Sequence, residues 1–204
     1  MAALDHAAGP LHREHRDPPR WRYRDLVIRR YTPADHTAVL DLHRTGLARV
    51  GLRPGDGVYY EHDLFRIGEI YLDRGGEFVV GEREGHVVAI GGLRRADIIP
   101  CGVTRAEGLP GDDGERWMLQ APASETAEMV RLRVRHDLQR RGYGSALVRA
   151  LETRAAELGY RTLHCDTTEL QVPAMELYRG FGWRETRREV IGGIVTVYFE
   201  KTLS

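Results

Sequence analysis

The stretch Gln139-Arg140-Arg141-Gly142-Tyr143-Gly144-Ser145 constrains this chain more than any other. An apolar run at 129–134 precedes it and a helical pattern at 146–158 follows, so its two glycines fall at a strand-to-helix turn. Without a Cβ, the backbone there can turn sharply and come close to a ligand. A helix that opens at such a turn has unpaired first N–H groups and the positive end of its dipole facing outward. That combination suits a phosphate-bearing ligand. The segment lacks the Lys-Ser/Thr ending of a nucleotide P-loop and the third glycine of a dinucleotide fingerprint, which sets both of those readings aside.

A second block strengthens the pattern. Gln171-Val172-Pro173-Ala174-Met175-Glu176-Leu177-Tyr178 is followed by Gly182-Trp183. With Gln139-x-x-Gly142-x-Gly144 upstream, the chain resembles the GNAT superfamily of N-acetyltransferases over roughly residues 27–202. That family carries Gln/Arg-x-x-Gly-x-Gly/Ala between its fourth strand and third helix, then Asn-x-x-Ala-x-x-Leu-Tyr and Gly-Phe. Gln171 stands where the family has Asn, and Trp183 where it has Phe. The resemblance implies an α/β (α+β) fold. One GNAT-type domain is expected, with a mixed, mostly antiparallel central sheet flanked by helices in the order β-α-α-β-β-β-α-β-α-β-β.

It also implies a chemistry. Acetyl-CoA would be the co-substrate, with its pyrophosphate on the backbone of Gln139, Arg140, Arg141, Gly142, Tyr143, Gly144 and Ser145. The backbone of Leu132, Arg133 and Val134 would pair with the pantetheine arm and polarise the acyl carbonyl, as strand addition and oxyanion stabilisation do. Glu128, eleven residues before Gln139, matches the glutamate that some relatives use as general base. A carboxylate raised toward neutrality could take the amine proton, although a structural ion pair with Arg131 or Arg133 serves equally well. Glu169 is a weaker alternative. Tyr178 would protonate the leaving thiolate, its phenol being a weak acid with a pKa of about 10; a packed core tyrosine is the plainer alternative. Gln171 can contact the donor through its amide, one methylene further out than Asn.

Local patterns order the rest of the domain. Alternation at 25–31 marks a first strand, and Thr32, Pro33 and Asp35 open a helix with Val39, Leu40, Leu42 and Leu47 inward. A second helix is expected at 58–72, with Tyr59, Tyr60 and Glu61 as candidate acceptor contacts. Hairpins are expected around Glu84-Gly85 and Gly192-Gly193. Between them, the proline-bearing stretch 95–124 is read as an insertion beside the acceptor site.

The first 24 residues carry Pro10, Pro18 and Pro19 and read as a flexible basic arm, leaving 25–204 as the acyltransferase domain. Arginines with Trp21 and Tyr23 between them at 12–24 could touch RNA, but Lys+Arg 30 against Asp+Glu 30 gives no global field for nucleic acid. No apolar run reaches membrane-span length, and the start lacks the apolar core of a secretion signal. Cys101 and Cys165 have no metal-ligand spacing and read as free thiols of a cytoplasmic protein. No histidine pair supports a metal.

The reading is therefore a cytoplasmic N-acyltransferase moving acetyl from acetyl-CoA to a primary amine, with no metal and a homodimer left open. A small-molecule amine is the first choice of acceptor, and a protein or peptide amine the second. A non-catalytic acyl-CoA sensor and a relative using an aminoacyl-tRNA donor are the alternatives.

Overall fold

A computed structural model of the chain describes residues 10–14, 17–53, 61–96 and 125–203. Their strands form one sheet in the order β1-β2-β3-β4-β5-β6-β7-β9-β8. The strands are β1 (His12–Glu14), β2 (Arg20–Tyr23), β3 (Leu26–Arg30), β4 (Glu77–Arg83), β5 (His86–Arg95), β6 (Thr126–Val134), β7 (Thr162–Thr168), β8 (Arg184–Ile191) and β9 (Ile194–Thr202). Only β6 and β7 run parallel; every other pair is antiparallel. Helices α1 (His36–Ala48), α2 (Tyr143–Glu157) and α3 (Val172–Gly180) flank the sheet.

Each helix lies where its apolar stripe requires. On α2, Leu147, Leu151 and Ala155 are buried at four-residue spacing, in one cluster with Val79, Leu93, Met129 and Phe199. On α1, Val39 and Leu42 join Tyr71, Phe78, Val80 and Ile90 in a second cluster on the opposite face. Sheet alternation divides the two: Phe78 and Val80 serve one core, Val79 the other. The start of α1 follows from its sequence, because Asp35 accepts hydrogen bonds from the backbone N (2.8 Å) and Oγ1 (3.0 Å) of Thr32. Asp35 also receives both terminal nitrogens of Arg29.

Two expectations change. The segment 12–24 is not a loose arm over its described part. β1 and β2 extend the sheet beyond β3, and Trp21 and Tyr23 are each 1% exposed. The cause is a period-two pattern, Arg20-Trp21-Arg22-Tyr23, that sends the aromatics into the core beneath α2 and Arg22 outward. Arg13 pairs with Glu157 on α2, and Arg22 with Glu14. The aromatics are thus spent on packing instead of standing free to stack on bases.

The helix expected at 58–72 is, over its described part, a 3-10 turn (Leu64–Arg66) and a π-helical turn (Gly68–Leu72). Gly68 weakens a regular helix there, and Tyr71 is held by a hydrogen bond from its hydroxyl to Asp63. Tyr59, Tyr60, Cys101 and residues 97–124 of the expected insertion lie outside the described residues.

Candidate active site

The decisive geometry is a parting between β6 and β7. They pair only through Thr126↔Thr162, Ala127↔Leu163 and Glu128↔His164. Past that rung β6 stays paired with β5 as far as Val134, and β7 stays paired with β9 as far as Thr168. The edges of 129–134 and 165–168 that face each other therefore lack the ladder that a closed sheet would give them. A bulge falls in the same stretch: the β5–β6 register shifts between Ile90 and Gly92, and Arg131 has φ 61°. A non-glycine residue in the left-handed region is uncommon and marks a built feature. Nothing in the sequence pattern announced it.

The glycine turn follows β6 at the mouth of the parting. A 3-10 turn (His136–Leu138) leads from β6, and the Gln139 side-chain amide donates to the Val134 carbonyl at 3.2 Å. Gly142, at φ 84°, precedes the first residue of α2, and no side chain caps that helix start. Its first N–H groups therefore have no side-chain acceptor, as an anion site requires. Arg140 and Arg141 are exposed beside the turn. A hollow of about 350 Å³ lined by Arg24, Asp25, Arg141 and Tyr143 adjoins it.

The two glycines act differently. A Cβ on Gly142 would lie 2.4 Å from the Tyr23 hydroxyl, so glycine here makes room for the N-terminal strands. A Cβ on Gly144 would lie 3.4 Å from Leu177 Cδ2 and 4.0 Å from Val134 Cγ2, between α3 and the end of β6. Gly144 therefore borders the parting itself. The N-terminal strands brace this turn further: Asp25 accepts from the Tyr143 hydroxyl (2.6 Å) and from Arg83 (2.6 Å), and Arg24 donates to the Arg141 carbonyl (3.3 Å). Those hydrogen bonds, Tyr143 first, hold the Asp25 carboxyl below its usual range.

Other site residues fall around the parting. Leu132 and Val134 are partly buried against the α2-side core. Arg133 donates to the Leu132 carbonyl at 2.8 Å and lies against Gly46 of α1. Gln171 is the residue before α3, and its carbonyl receives the Ala174 N–H. Tyr178 is 4% exposed, packed between Trp183 and Phe199 with ring centroids 5.4 and 5.6 Å away. Its hydroxyl hydrogen-bonds Cys165, whose thiol is pushed up mainly by burial. Glu169 is exposed, just past the end of β7.

Glu128 is ion-paired, with a different partner from those the sequence proposed. Arg94, its cross-strand neighbour on β5, donates from Nε (2.7 Å) and a terminal nitrogen (2.6 Å). Arg131 instead holds Asp63 with two hydrogen bonds, at 2.9 and 2.6 Å. Burial alone would raise the Asp63 pKa, but the charge and hydrogen bond of Arg131 pull it below the usual range. Glu61, a candidate acceptor contact, is held by Arg44 at 2.9 and 2.8 Å.

Sequence reasoning missed two groups on this face. His43 is fully buried on α1 with both ring nitrogens unpartnered among the described residues. Burial, then the charges of Arg131 and Arg133, push its pKa down to about 3, so it stays neutral. Asp166 on β7 is pushed up to about 6 by burial and by the charge of Glu128. A lone Asp inside the run Thr162–Thr168 was the available signal.

An uncapped, glycine-led helix after β6 is what the motif at 139–145 called for, and the family model for GNAT acetyltransferases matches residues 50–183. The chain belongs to the GNAT acetyltransferase family. Solved structures agree on the fold. A GNAT-family acetyltransferase from Staphylococcus aureus Mu50 is 15% identical, with TM-score 0.66, over 88% of this chain and 99% of that one. A GNAT phosphinothricin acetyltransferase from Sinorhizobium meliloti, solved with acetyl-CoA, is 16% identical with TM-score 0.63, over 88% and 89%. A ribosomal-protein-alanine N-acetyltransferase from Brucella melitensis is 19% identical with TM-score 0.61, over 86% and 99%. No curated protein matches the sequence. Among the described residues no helix is long and apolar enough to cross a membrane, and no group of three or more His, Cys, Asp or Glu is placed to hold a metal.

Proposed function

We propose that this GNAT protein transfers an acetyl group from acetyl-CoA to a small-molecule primary amine by direct attack on the thioester. The observation that carries the reading is the β6–β7 parting, which opens beside the uncapped start of α2. The pyrophosphate would rest on backbone N–H groups of 139–145, with Arg140 and Arg141 adding charge-assisted contacts. The pantetheine arm would add to the free edge of β6 at Leu132, Arg133 and Val134, bringing the thioester level with Tyr178 and the carboxylates on the α1 face. A backbone N–H on that edge would polarise the acyl carbonyl.

The acceptor approaches from the α1 side. Asp63, Arg94, Glu128, Arg131 and Asp166 make that face densely charged, which suits a small polar amine. Negative charge on that face draws the amine in, and a carboxylate on it takes the proton that nitrogen sheds as it attacks. Tyr178 would protonate the departing thiolate. Phosphinothricin and a ribosomal-protein alanine figure in the names of structural neighbours, and both classes belong in the test. A thiol-release assay with acetyl-CoA and phosphinothricin, an aminoglycoside, a polyamine and an alanine-initiated peptide should show turnover with a small amine. Turnover with the peptide alone would refute the acceptor assignment, and absence of acetyl-CoA binding would refute the reading as a whole.

A further inference from the structure

A second carboxylate faces the parting, and no family motif singles it out. Asp166 lies two residues beyond His164, the last β7 residue paired with β6, so it is the first β7 side chain on the Glu128 face past the parting. The β7–β9 register sets it opposite Tyr198. The two carboxylates are engaged very differently. Glu128 Oε2 takes both contacts from Arg94, an ion pair that offsets its charge and lowers its basicity. The Asp166 side chain makes no hydrogen bond or ion pair among the described residues. A proton acceptor needs an open lone pair with no cation held against it, and of the two carboxylates Asp166 is the one without a paired cation among the described residues.

We propose that Asp166 is the group that takes the proton from the acceptor amine, with Glu128 and Arg94 as a fixed ion pair beside it. This rests on the acetyltransferase reading above. In the step, the amine lone pair forms the new N–C bond to the thioester carbonyl. The N–H proton passes to an Oδ of Asp166. The C–S bond breaks, and the sulfur takes a proton from Tyr178. The products are an amide and a free thiol; Asp166 then returns its proton to solvent, and Tyr178 recovers one.

The surroundings fit a base that works near neutrality. Burial and then Glu128 raise the Asp166 pKa to about 6, while Arg131, Arg94 and Arg133 pull the other way. From β9, Tyr198 faces it, itself flanked by Glu189 and Arg187 of β8. Cys165, next to it on β7, is a buried thiol. At a pKa of about 6 the carboxylate is mostly ionised at pH 7, yet more basic than an ordinary aspartate.

The test compares Asp166→Asn with Glu128→Gln in three measurements: calorimetric acetyl-CoA binding, the pH profile of kcat/KM with whichever member of the amine panel turns over, and a carbon-13 NMR titration of the Asp166 carboxyl. Wild type should show a limb near pH 6 in the rate profile and a matching carboxyl midpoint. Asp166→Asn should lose the limb and about 100-fold or more in kcat with acetyl-CoA affinity intact. Glu128→Gln should keep the limb and move both limb and midpoint to lower pH. Survival of limb and rate in Asp166→Asn overturns the proposal, as does loss of turnover confined to Glu128→Gln. If no panel amine reacts, the carboxyl titration decides, and a midpoint in the ordinary aspartate range that ignores Glu128→Gln overturns it. Wild type that fails to bind acetyl-CoA strikes the acetyltransferase reading itself, and the role of Asp166 falls with it.

Discussion

Gly142→Ala, made alone and together with Tyr23→Phe, tests whether the N-terminal strands brace the glycine turn. Gly142 sits at φ 84°, where an L side chain costs about 1–2 kcal/mol. The new Cβ would also lie 2.4 Å from the Tyr23 hydroxyl and 3.1 Å from ring carbon Cζ. Tyr23 is 1% exposed, so its ring cannot swing aside, and overpacking of this kind adds about 1–3 kcal/mol. The single variant should therefore lose about 2–5 kcal/mol in urea unfolding. Removing the hydroxyl leaves Cζ and Cε1 as nearest atoms at 3.1 and 3.3 Å, contacts that small shifts can relieve. The φ cost remains while most of the clash goes, so the double-mutant cycle should show a coupling of about 1–2 kcal/mol. Additive losses, within about 0.5 kcal/mol, would show that Tyr23 does not press on the turn.

Trp21→Ala should destabilise the protein by about 3–5 kcal/mol, as loss of a buried aromatic does; an unchanged Tm would mean that β2 is not part of the core. His43 gives a pH dependence. Its folded pKa is about 3 against 6.5 for the free group, so its contribution is full above pH 6.5 and is lost as pH falls toward 3. At pH 5 the loss is about 2 kcal/mol, and His43→Leu should flatten the stability slope from pH 7 to 5; an unaltered slope would contradict a neutral buried imidazole. Tyr178→Phe should lower kcat with acetyl-CoA affinity unchanged, and full turnover would end its role as acid.

The parts of the fold written in local pattern were legible. The hairpins around Gly85 and Gly192, the inward stripe of α2 and the Thr32–Asp35 start of α1 all follow from periodicity and turn chemistry. The N-terminal strands were missed because three prolines and several arginines outweighed a four-residue alternation whose aromatics were the real signal. In the site, the motif located the turn but gave no sign of Tyr23 packed against Gly142, which only the folded chain brings there. Choosing among Arg94, Arg131 and Arg133 as the Glu128 partner depends on cross-strand register and on the bulge at Arg131. Asp166 had no motif to mark it; its environment comes from β5, β6 and β9, which lie far apart in sequence.

The donor site is tested most directly by titrating acetyl-CoA, by calorimetry, into the folded wild type and into Gly144→Phe. A phenyl ring at 144 must project past Leu177 and Val134 into the space between α3 and the end of β6. The wild type should bind one equivalent, and the variant, still folded by circular dichroism, should show no heat of binding. Equal binding by both would mean that acetyl-CoA does not lie between the parted strands.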